Sequence, residues 1–395
     1  MESISIIIPT FHFASTTHKT IKACLSQTIL PSELVIIDSS EDNSISDLIL
    51  HMETDIPIIY RRVSKMFPGE ARNLGANISN SPFLAFLDSK TIPAIDWLET
   101  NLNAMKNLNV DVIFGNTQYL ADTPFQKNLL ACSFGSKPVE STPGSLISRE
   151  NFFKSGSFQE GVRTGDDMAW RDAIKNSSMT FGLPNQATLS YNELPKNLLP
   201  TIKRFFIYQL HGSRVNIQNT PKNIMLSFFL IFLTILIPKW NAIVGWESSV
   251  LYFPNITKIY IFSLLIGFLL AIFQNRDRIS RYATSIIGYS AIVVAFLSLF
   301  ITAFYWNAAI AGWVEDSVWY VPNITKIFIS LSLACSIFYR GLYFPLNNGI
   351  SLSTLLPLSW IKAGLLGLIL DIVKAPGFLA GALLKLFSPK IFKNE

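Results

Sequence analysis

The sequence predicts an α/β domain with a doubly wound, mostly parallel sheet, followed by an all-α membrane domain. Two observations indicate this fold class. Short apolar runs alternate with helical periodicity in the first 90 residues, and four long apolar stretches follow residue 220. Of the 395 residues, 50% are hydrophobic and 15% are charged, whereas about a quarter of an average soluble protein is charged. This composition excludes a disordered chain and disfavours a purely soluble one.

The sheet is predicted from four runs rich in β-branched and aromatic residues. Segments with apolar residues every three or four positions predict the helices between them. Strands are predicted at 3–9, 34–38, 56–62 and 83–88, and helices at 16–27 and 69–79. Strands that alternate with helices form parallel sheets, and ligands bind outside the carboxyl ends of such strands. The sequence therefore predicts a binding edge in a first domain over residues 1–220.

Four apolar stretches predict a membrane domain over residues 221–344, because each is close to the ~20 residues that cross a bilayer as a helix. The stretches are 224–240, 256–273, 282–305 and 324–343. The hexapeptide PNITKI occurs at 254–259 and again at 322–327, an offset of 68 residues. This repeat indicates a duplicated transmembrane hairpin.

Charge is distributed unevenly along the chain. Residues 1–220 hold 19 lysines and arginines against 21 acidic residues, and residues 221–395 hold 13 against 6. A basic excess in the apolar half fits anionic lipid on one membrane face and argues against nucleic acid as a partner. No basic n-region of a signal peptide opens the chain. We expect a multi-pass inner (plasma) membrane protein with its catalytic domain and C-terminus in the cytosol, as the positive-inside rule requires.

Two segments are predicted to lie on the membrane surface. Residues 198–214 alternate basic and aromatic residues, and the tail over residues 345–395 mixes leucine-rich runs with proline and charged residues. Both patterns favour amphipathic interfacial helices. For the tail, this interpretation is favoured over a fifth span.

Polar side chains stand at the predicted carboxyl ends of three strands. Thr10 follows the first strand, Asp38 and Ser40 follow the second, and Asp88 and Lys90 follow the fourth. No Gly-x-Gly-x-x-Gly turn and no Walker lysine loop is present. A bound nucleotide is therefore not held as in a Rossmann dehydrogenase or a P-loop ATPase. The three distant cysteines and four scattered histidines predict neither a disulfide framework nor a zinc site.

Three motifs, in this order, carry a resemblance to a known family. They are PGEARNLG at 68–75, FLDSKTIP at 86–93 with WL at 97–98, and TGDDMAWR at 164–171. Over residues 4–171 the sequence resembles the catalytic domain of family-2 glycosyltransferases, which have the GT-A fold. The resemblance implies binding of a nucleotide-diphosphate sugar. On the nucleotide-sugar side it implies Thr10, Asp38, Ser40, Arg72, Asp88 and Lys90.

The resemblance also implies individual roles for two of these residues. Asp38 would accept hydrogen bonds from the base or ribose of the nucleotide; alternatively, it is a turn aspartate that caps the next helix. Arg72 would lie near the diphosphate or organise the loop after the fourth strand. The alternative for Arg72 is a solvated helix face.

Metal use is left open by one departure from the family pattern. Asp88 matches the first acid of the family's Asp-x-Asp motif, whose two carboxylates usually hold Mg²⁺ or Mn²⁺ against the diphosphate. Here the second acid is replaced by Lys90. Three hypotheses follow: Lys90 contacts the diphosphate and partly replaces the metal charge, Asp88 alone still holds the divalent cation, or activity is lost.

Asp166 and Asp167 match the family's acidic pair on the acceptor side. The resemblance implies that Asp167 is the base that removes the proton of the acceptor hydroxyl. Asp166 would orient it or cap the following helix, where acids are also favoured by the helix dipole. Trp170 and Arg171, one turn further on, are expected to line the acceptor site.

The sequence thus predicts a membrane-bound, inverting glycosyltransferase. Its partners would be a nucleotide-diphosphate sugar, membrane lipid and a lipid-linked or membrane-proximal acceptor, in the assembly of surface polysaccharide or glycolipid. The family's processive synthases carry Gln-x-x-Arg-Trp before the first span, and this chain has Gln209 and Arg214 at another spacing. A single-addition enzyme is therefore favoured. The alternatives are a processive polysaccharide synthase and a catalytically inactive scaffold of the same fold.

Overall fold

A computed structural model describes residues 2–12, 14–215 and 333–387. The first three predicted membrane stretches and the PNITKI repeat lie outside these residues. The fourth stretch is described from residue 333 onward, where the chain is helical and continues into a π-helical segment, Tyr339–Tyr343.

Nine strands of the described part form one mixed sheet in the order β3-β2-β1-β4-β7-β6-β9-β5, with β8 paired to β6. Five of the eight pairings among these strands are parallel. The α/β fold with a mostly parallel sheet is therefore confirmed. The strands are β1 (Ile4–Thr10), β2 (Glu33–Asp38), β3 (Ile58–Arg62), β4 (Phe83–Phe86), β5 (Thr91–Pro93), β6 (Val112–Tyr119), β7 (Val139–Ser148), β8 (Phe181–Gly182) and β9 (Leu189–Tyr191).

Eight helices accompany the sheet in the described N-terminal residues. The predicted helices at 16–27 and 69–79 correspond to α1 and α3, with ends shifted by one or two residues. The predicted strand at 83–88 ends early, because the Thr91 amide donates to the Asp88 carbonyl at 3.0 Å and closes a turn. The helices are α1 (Ala14–Leu25), α2 (Ser44–Leu50), α3 (Pro68–Ile78), α4 (Trp97–Leu108), α5 (Pro124–Ser133), α6 (Arg149–Lys154), α7 (Asp166–Asn176) and α8 (Leu198–Arg214).

The core lies on both faces of the sheet. Ile6 and Ile8 of β1 face one apolar cluster, and Ile7 faces the other. Strands that are buried on both faces read as continuous apolar runs, which explains the SIIIP sequence of β1. Helix α3 packs tightly on this strand, since a Cβ at Gly75 would lie 2.5 Å from a methyl group of Ile7. This close approach fixes the helix that carries Arg72.

The described C-terminal residues form α9 (Phe344–Asn347), α10 (Leu352–Leu355) and the 29-residue α11 (Ser359–Phe387). By length and composition, Ser359–Leu384 is the one helix in the described part that is apolar enough to cross a membrane.

Helix α11 packs against α8 through glycines. A Cβ at Gly377 would lie 2.7 Å from the Phe206 carbonyl oxygen, and one at Gly381 would lie 2.1 Å from that of Leu210. Helix α8 has the predicted bounds, and protein covers the face that contacts α11. Placement of either helix on a membrane surface stays a prediction.

Candidate active site

Asp38 lies at the carboxyl end of β2, next to Thr10 at the end of β1. Its Oδ1 atom accepts hydrogen bonds from Thr10 Oγ1 at 3.0 Å, Ser40 Oγ at 2.6 Å and the Ser40 amide at 3.0 Å. Its Oδ2 atom accepts one from the Tyr60 hydroxyl at 2.9 Å. The side chain is fully buried. These bonds stabilise the strand-end loop from within, and contact with a base or ribose stays a prediction.

Tyr60 is a member of this network that sequence reasoning missed. Burial and its hydrogen bond to Asp38 raise the pKa of Tyr60 to about 12. The hydroxyl therefore stays protonated and donates at neutral pH. The signal in the sequence was one tyrosine in a predicted strand, which is too common to indicate a site.

Arg72 joins the ends of two elements that are distant in sequence. Its Nη2 atom donates to Asp88 Oδ1 at 2.5 Å, and its Nη1 atom donates to Asp166 Oδ2 at 2.6 Å. The Arg72 side chain is 4% exposed, and the guanidinium lies 5.2 Å from the centre of the Phe158 ring. A solvated helix face is therefore wrong for Arg72. The bridge ties the loop after β4 to the start of α7.

Hydrogen bonds from α3 to the loop before α7 fix the position of the Arg72 bridge. Glu70 Oε2 accepts from the Phe67 amide at 3.0 Å at the start of α3, and Glu70 Oε1 accepts from the Gly161 amide at 2.8 Å. Asn73 exchanges two hydrogen bonds of 2.9 Å with the backbone of Phe158. The PGEARNLG motif thus holds the loop that leads into α7.

Asp166 and Asp167 open α7, directly after Gly165 with a φ of +94°. Asp166 is 3% exposed. Burial raises the pKa of Asp166 to about 7, against the opposing effect of the Arg72 charge. Asp167 is half-buried, and its backbone carbonyl accepts from Thr142 Oγ1 at 2.8 Å. Among the described residues, no side chain hydrogen-bonds the Asp167 carboxylate, so this carboxylate is available to a ligand.

Trp170 does not line an acceptor site, and that expectation is corrected. It is 1% exposed and packs in the core, with its ring 4.9 Å from that of Phe158 and 5.9 Å from that of Phe86. Its position four residues after buried Asp166 puts it on the inner face of α7. Arg171 is half-buried and pairs with Glu140 at 3.0 Å, and a role on the acceptor side stays a prediction.

Lys90 lies half-buried in the loop between β4 and β5. Burial lowers the pKa of Lys90, and the positive charge of Arg204 lowers it further. Arg204 of α8 donates from Nη2 to the Tyr191 hydroxyl at 2.6 Å and from Nε to the Tyr208 hydroxyl at 2.6 Å. The first half of α8 thus contributes positive charge near the loop that carries Asp88.

The side chains at this site do not supply the oxygen ligands that the divalent cation implied by the resemblance would need. One oxygen of Asp88 is held by Arg72, and Lys90 stands at the position of the second carboxylate. No cluster of three or more histidine, cysteine or acidic side chains suited to a metal occurs in residues 2–12, 14–215 and 333–387. Mg²⁺ requires several oxygen ligands in near-octahedral geometry. We therefore assign no step of the chemistry to a metal.

Two further residues, His211 and Arg163, lie close to the start of α7. His211 Nδ1 accepts from the Arg163 amide at 3.4 Å. Burial, with Arg214 and Arg163 nearby, lowers the pKa of His211 to about 4. This histidine is neutral at pH 7 and acts as a hydrogen-bonding group. Sequence reasoning missed Arg163, which lies three residues before Asp166.

Comparison with known proteins agrees with this geometry. Residues 5–163 match the family described as "Glycosyl transferase family 2". An uncharacterized glycosyltransferase of Rickettsia bellii is 28% identical over 193 residues, which cover 46% of this chain and 28% of that protein. The Escherichia coli UDP-Glc:alpha-D-GlcNAc-diphosphoundecaprenol beta-1,3-glucosyltransferase WfgD is 29% identical over 118 residues, which cover 30% of this chain and 46% of that protein.

A solved structure, Staphylococcus aureus TarS residues 1–349 with UDP-GlcNAc, aligns with a TM-score of 0.41 and 13% identity, over 69% of this chain and 85% of that one. The aligned region spans less than a third of the length of the Rickettsia bellii relative. The family match, the mixed α/β sheet and the joined motifs confirm the resemblance noted in the sequence. Residues 5–163 therefore match glycosyl transferase family 2, and their mixed α/β sheet agrees with the GT-A type fold that the resemblance implies.

Proposed function

We propose that the chain is a membrane-bound, inverting glycosyltransferase. It moves a sugar from a nucleotide-diphosphate sugar to a lipid-linked or membrane-proximal acceptor, in the assembly of surface polysaccharide or glycolipid. The observation that carries this proposal is the Arg72 bridge, which joins Asp88 on the strand-end side to Asp166 beside Asp167. The residues to which the resemblance assigns donor and acceptor roles lie close together around this bridge, which supports the proposal.

The chemistry follows from the two neighbouring acids. Asp166 is fixed in its ion pair with Arg72, whereas the Asp167 carboxylate is half-buried and open to a ligand. In the transfer, the acceptor oxygen forms a bond to the anomeric carbon while the bond from that carbon to the diphosphate oxygen breaks. The electron pair leaves with the diphosphate, and Asp167 takes the hydroxyl proton. Attack opposite to the leaving group inverts the anomeric configuration.

Membrane attachment is supported by the two faces of α11. Ala363, Leu366 and Leu370 face the N-terminal domain and are buried. Leu365 and Leu383 lie on the opposite face and are 45% and 53% exposed. An apolar face of this length on a helix that is docked on its other side fits contact with lipid.

A lipid-linked acceptor fits this arrangement. The name of the Escherichia coli relative specifies a sugar acceptor on diphosphoundecaprenol. A lipid-borne acceptor meets the enzyme at a membrane surface, which agrees with the apolar face of α11. We extend this acceptor class to the present chain as part of the proposal.

The experiment is a transfer assay with the full chain in detergent. UDP-, GDP- and dTDP-linked radiolabelled sugars are supplied with a bacterial lipid extract, and label in the organic phase is counted. We expect transfer from one nucleotide class, and a product whose new linkage has the anomeric configuration opposite to that of the donor. Retention of configuration would refute the inverting mechanism, and absence of transfer from all three classes would refute the activity.

A further inference from the structure

Two cationic side chains, Lys90 and Arg204, lie near the loop between β4 and β5, which also carries Asp88. Thr91 of β5 pairs with Tyr191 of β9, so Lys90 lies at the end of this pair of strands. Arg204 reaches the same end from α8, because its Nη2 atom donates to the Tyr191 hydroxyl at 2.6 Å and its Nη1 atom to the Glu193 carbonyl at 3.2 Å. Burial lowers the pKa of Lys90, and the positive charge of Arg204 lowers it further, against the opposing charges of Glu193 and Asp88.

Arg204 is held in place before any ligand binds. Its guanidinium carbon lies 5.5 Å from the Tyr191 ring centre and 5.3 Å from that of Tyr208. Among the described residues, three of its five N–H groups donate hydrogen bonds, which leaves two for a ligand. A planar guanidinium fixed by aromatic stacking is well suited to phosphate oxygens.

Asp88, in contrast, already has a cationic partner within the protein. Its Oδ1 atom forms the 2.5 Å ion pair with Arg72. A divalent cation at this position would have to compete with a buried guanidinium and would face the positive charge of Lys90. Lys90 and Arg204 therefore offer positive charge to an anion beside Asp88, and the negative charge of Glu193 offsets part of it.

We propose that Lys90 and Arg204 bind the diphosphate of the nucleotide-sugar and supply the positive charge that a divalent cation supplies in metal-dependent relatives. The inference rests on the proposed function and names how that site holds its donor. As the bond from the anomeric carbon breaks, the electron pair passes to the diphosphate oxygen, and the two cations stabilise the resulting charge. Binding and transfer then proceed without a divalent metal.

The test is calorimetric titration of the full chain in detergent with UDP, GDP and dTDP, each in EDTA and in Mn²⁺. We expect one nucleotide to bind in EDTA with a dissociation constant within threefold of that in Mn²⁺. Binding in Mn²⁺ alone would overturn the inference and leave the proposed function intact. If none of the three binds in either condition, both the inference and the proposed function are refuted.

Substitutions of Lys90 and Arg204 distinguish a direct role of each side chain in nucleotide binding from a general loss of surface charge. Lys90→Asp restores the paired acids, so it should lose tenfold or more of the affinity in EDTA and regain it with Mn²⁺. Arg204→Gln should weaken binding by a similar factor in both conditions, and Arg204→Lys should recover part of the loss. Lys203→Gln, on the exposed side of α8, is the matched control and should bind as wild type. Wild-type affinity of Lys90→Asp in EDTA would contradict the inference.

Discussion

Replacement of Arg72 by methionine tests the bridge at the centre of the site. The variant leaves Asp166 buried at 3% exposure without its partner, while Asp88, 40% exposed, regains water. Loss of one partner of a buried ion pair costs about 3–5 kcal/mol. We take the lower end, about 3 kcal/mol, because Asp166 escapes part of the cost by binding a proton. A domain of 150–250 residues loses roughly 2–4 °C per kcal/mol, so the melting temperature should fall by about 6–12 °C.

The assay is thermal unfolding of the detergent-purified full chain, followed by tryptophan fluorescence at pH 6 and pH 8.5. The loss should be larger at pH 8.5, because loss of Arg72 raises the pKa of Asp166 further and protonation of this buried acid costs more free energy at high pH. Lys154→Met is the control, because its partner Glu150 is 76% exposed and such pairs contribute less than about 1 kcal/mol. Adding Asp166→Asn to Arg72→Met should restore part of the stability. An Arg72→Met melting temperature within 2 °C of wild type at pH 8.5 would refute this reasoning.

Three further predictions concern stability and use the same melting assay. Trp170→Ala should destabilise the domain by about 3–5 kcal/mol, because it empties a core site; a loss below 1 kcal/mol would show that the ring is not packed. Gly381→Leu should lower the melting temperature while Leu383→Ala should not, since a Cβ at 381 would lie 2.0 Å from Ser213 Oγ. The pKa of Asp166 is raised to about 7 in the folded protein, so the folded state binds more protons between pH 4 and 7. The stability of the wild type should therefore fall from pH 4 to pH 7 relative to that of Asp166→Asn. If the melting temperatures of the two proteins change with pH in the same way, the raised pKa of Asp166 is contradicted.

The first half of the sheet could be predicted from the sequence because its strands are buried on both faces and read as apolar runs. The second half was missed for a physical reason. Strand β7 contains Pro143 and Gly144, which argue against a strand. In the structure, β7 pairs with β6, and the register of this pairing shifts between Ile113 and Gly115 of β6. Gly144 of β7 has a φ of +89°. A bulge accommodates both residues, and local patterns do not reveal it.

In the candidate site, too, features of one sequence segment could be predicted, whereas contacts between distant segments could not. The family resemblance implied Arg72, Asp88 and Asp166 as site residues, but the ion pair between Arg72 and Asp166 is a contact across 94 residues of sequence. Its existence depends on how α3 and α7 pack, which a single sequence does not show. Trp170 was misplaced although a local signal existed: Asp166, Trp170 and Ile174 recur every four residues, which is the spacing of one buried helix face.

The central claim is that Asp167 is the base of an inverting sugar transfer, and one comparison tests it most directly. Transfer rate and nucleotide affinity are measured for wild type, Asp167→Asn and Asp172→Asn, the last being an exposed acid on the same helix. We predict that Asp167→Asn keeps nucleotide affinity within threefold and loses about 10²- to 10⁴-fold in transfer rate, as expected for removal of a general base. Asp172→Asn should match wild type in both. A transfer rate of Asp167→Asn within threefold of wild type would contradict the account.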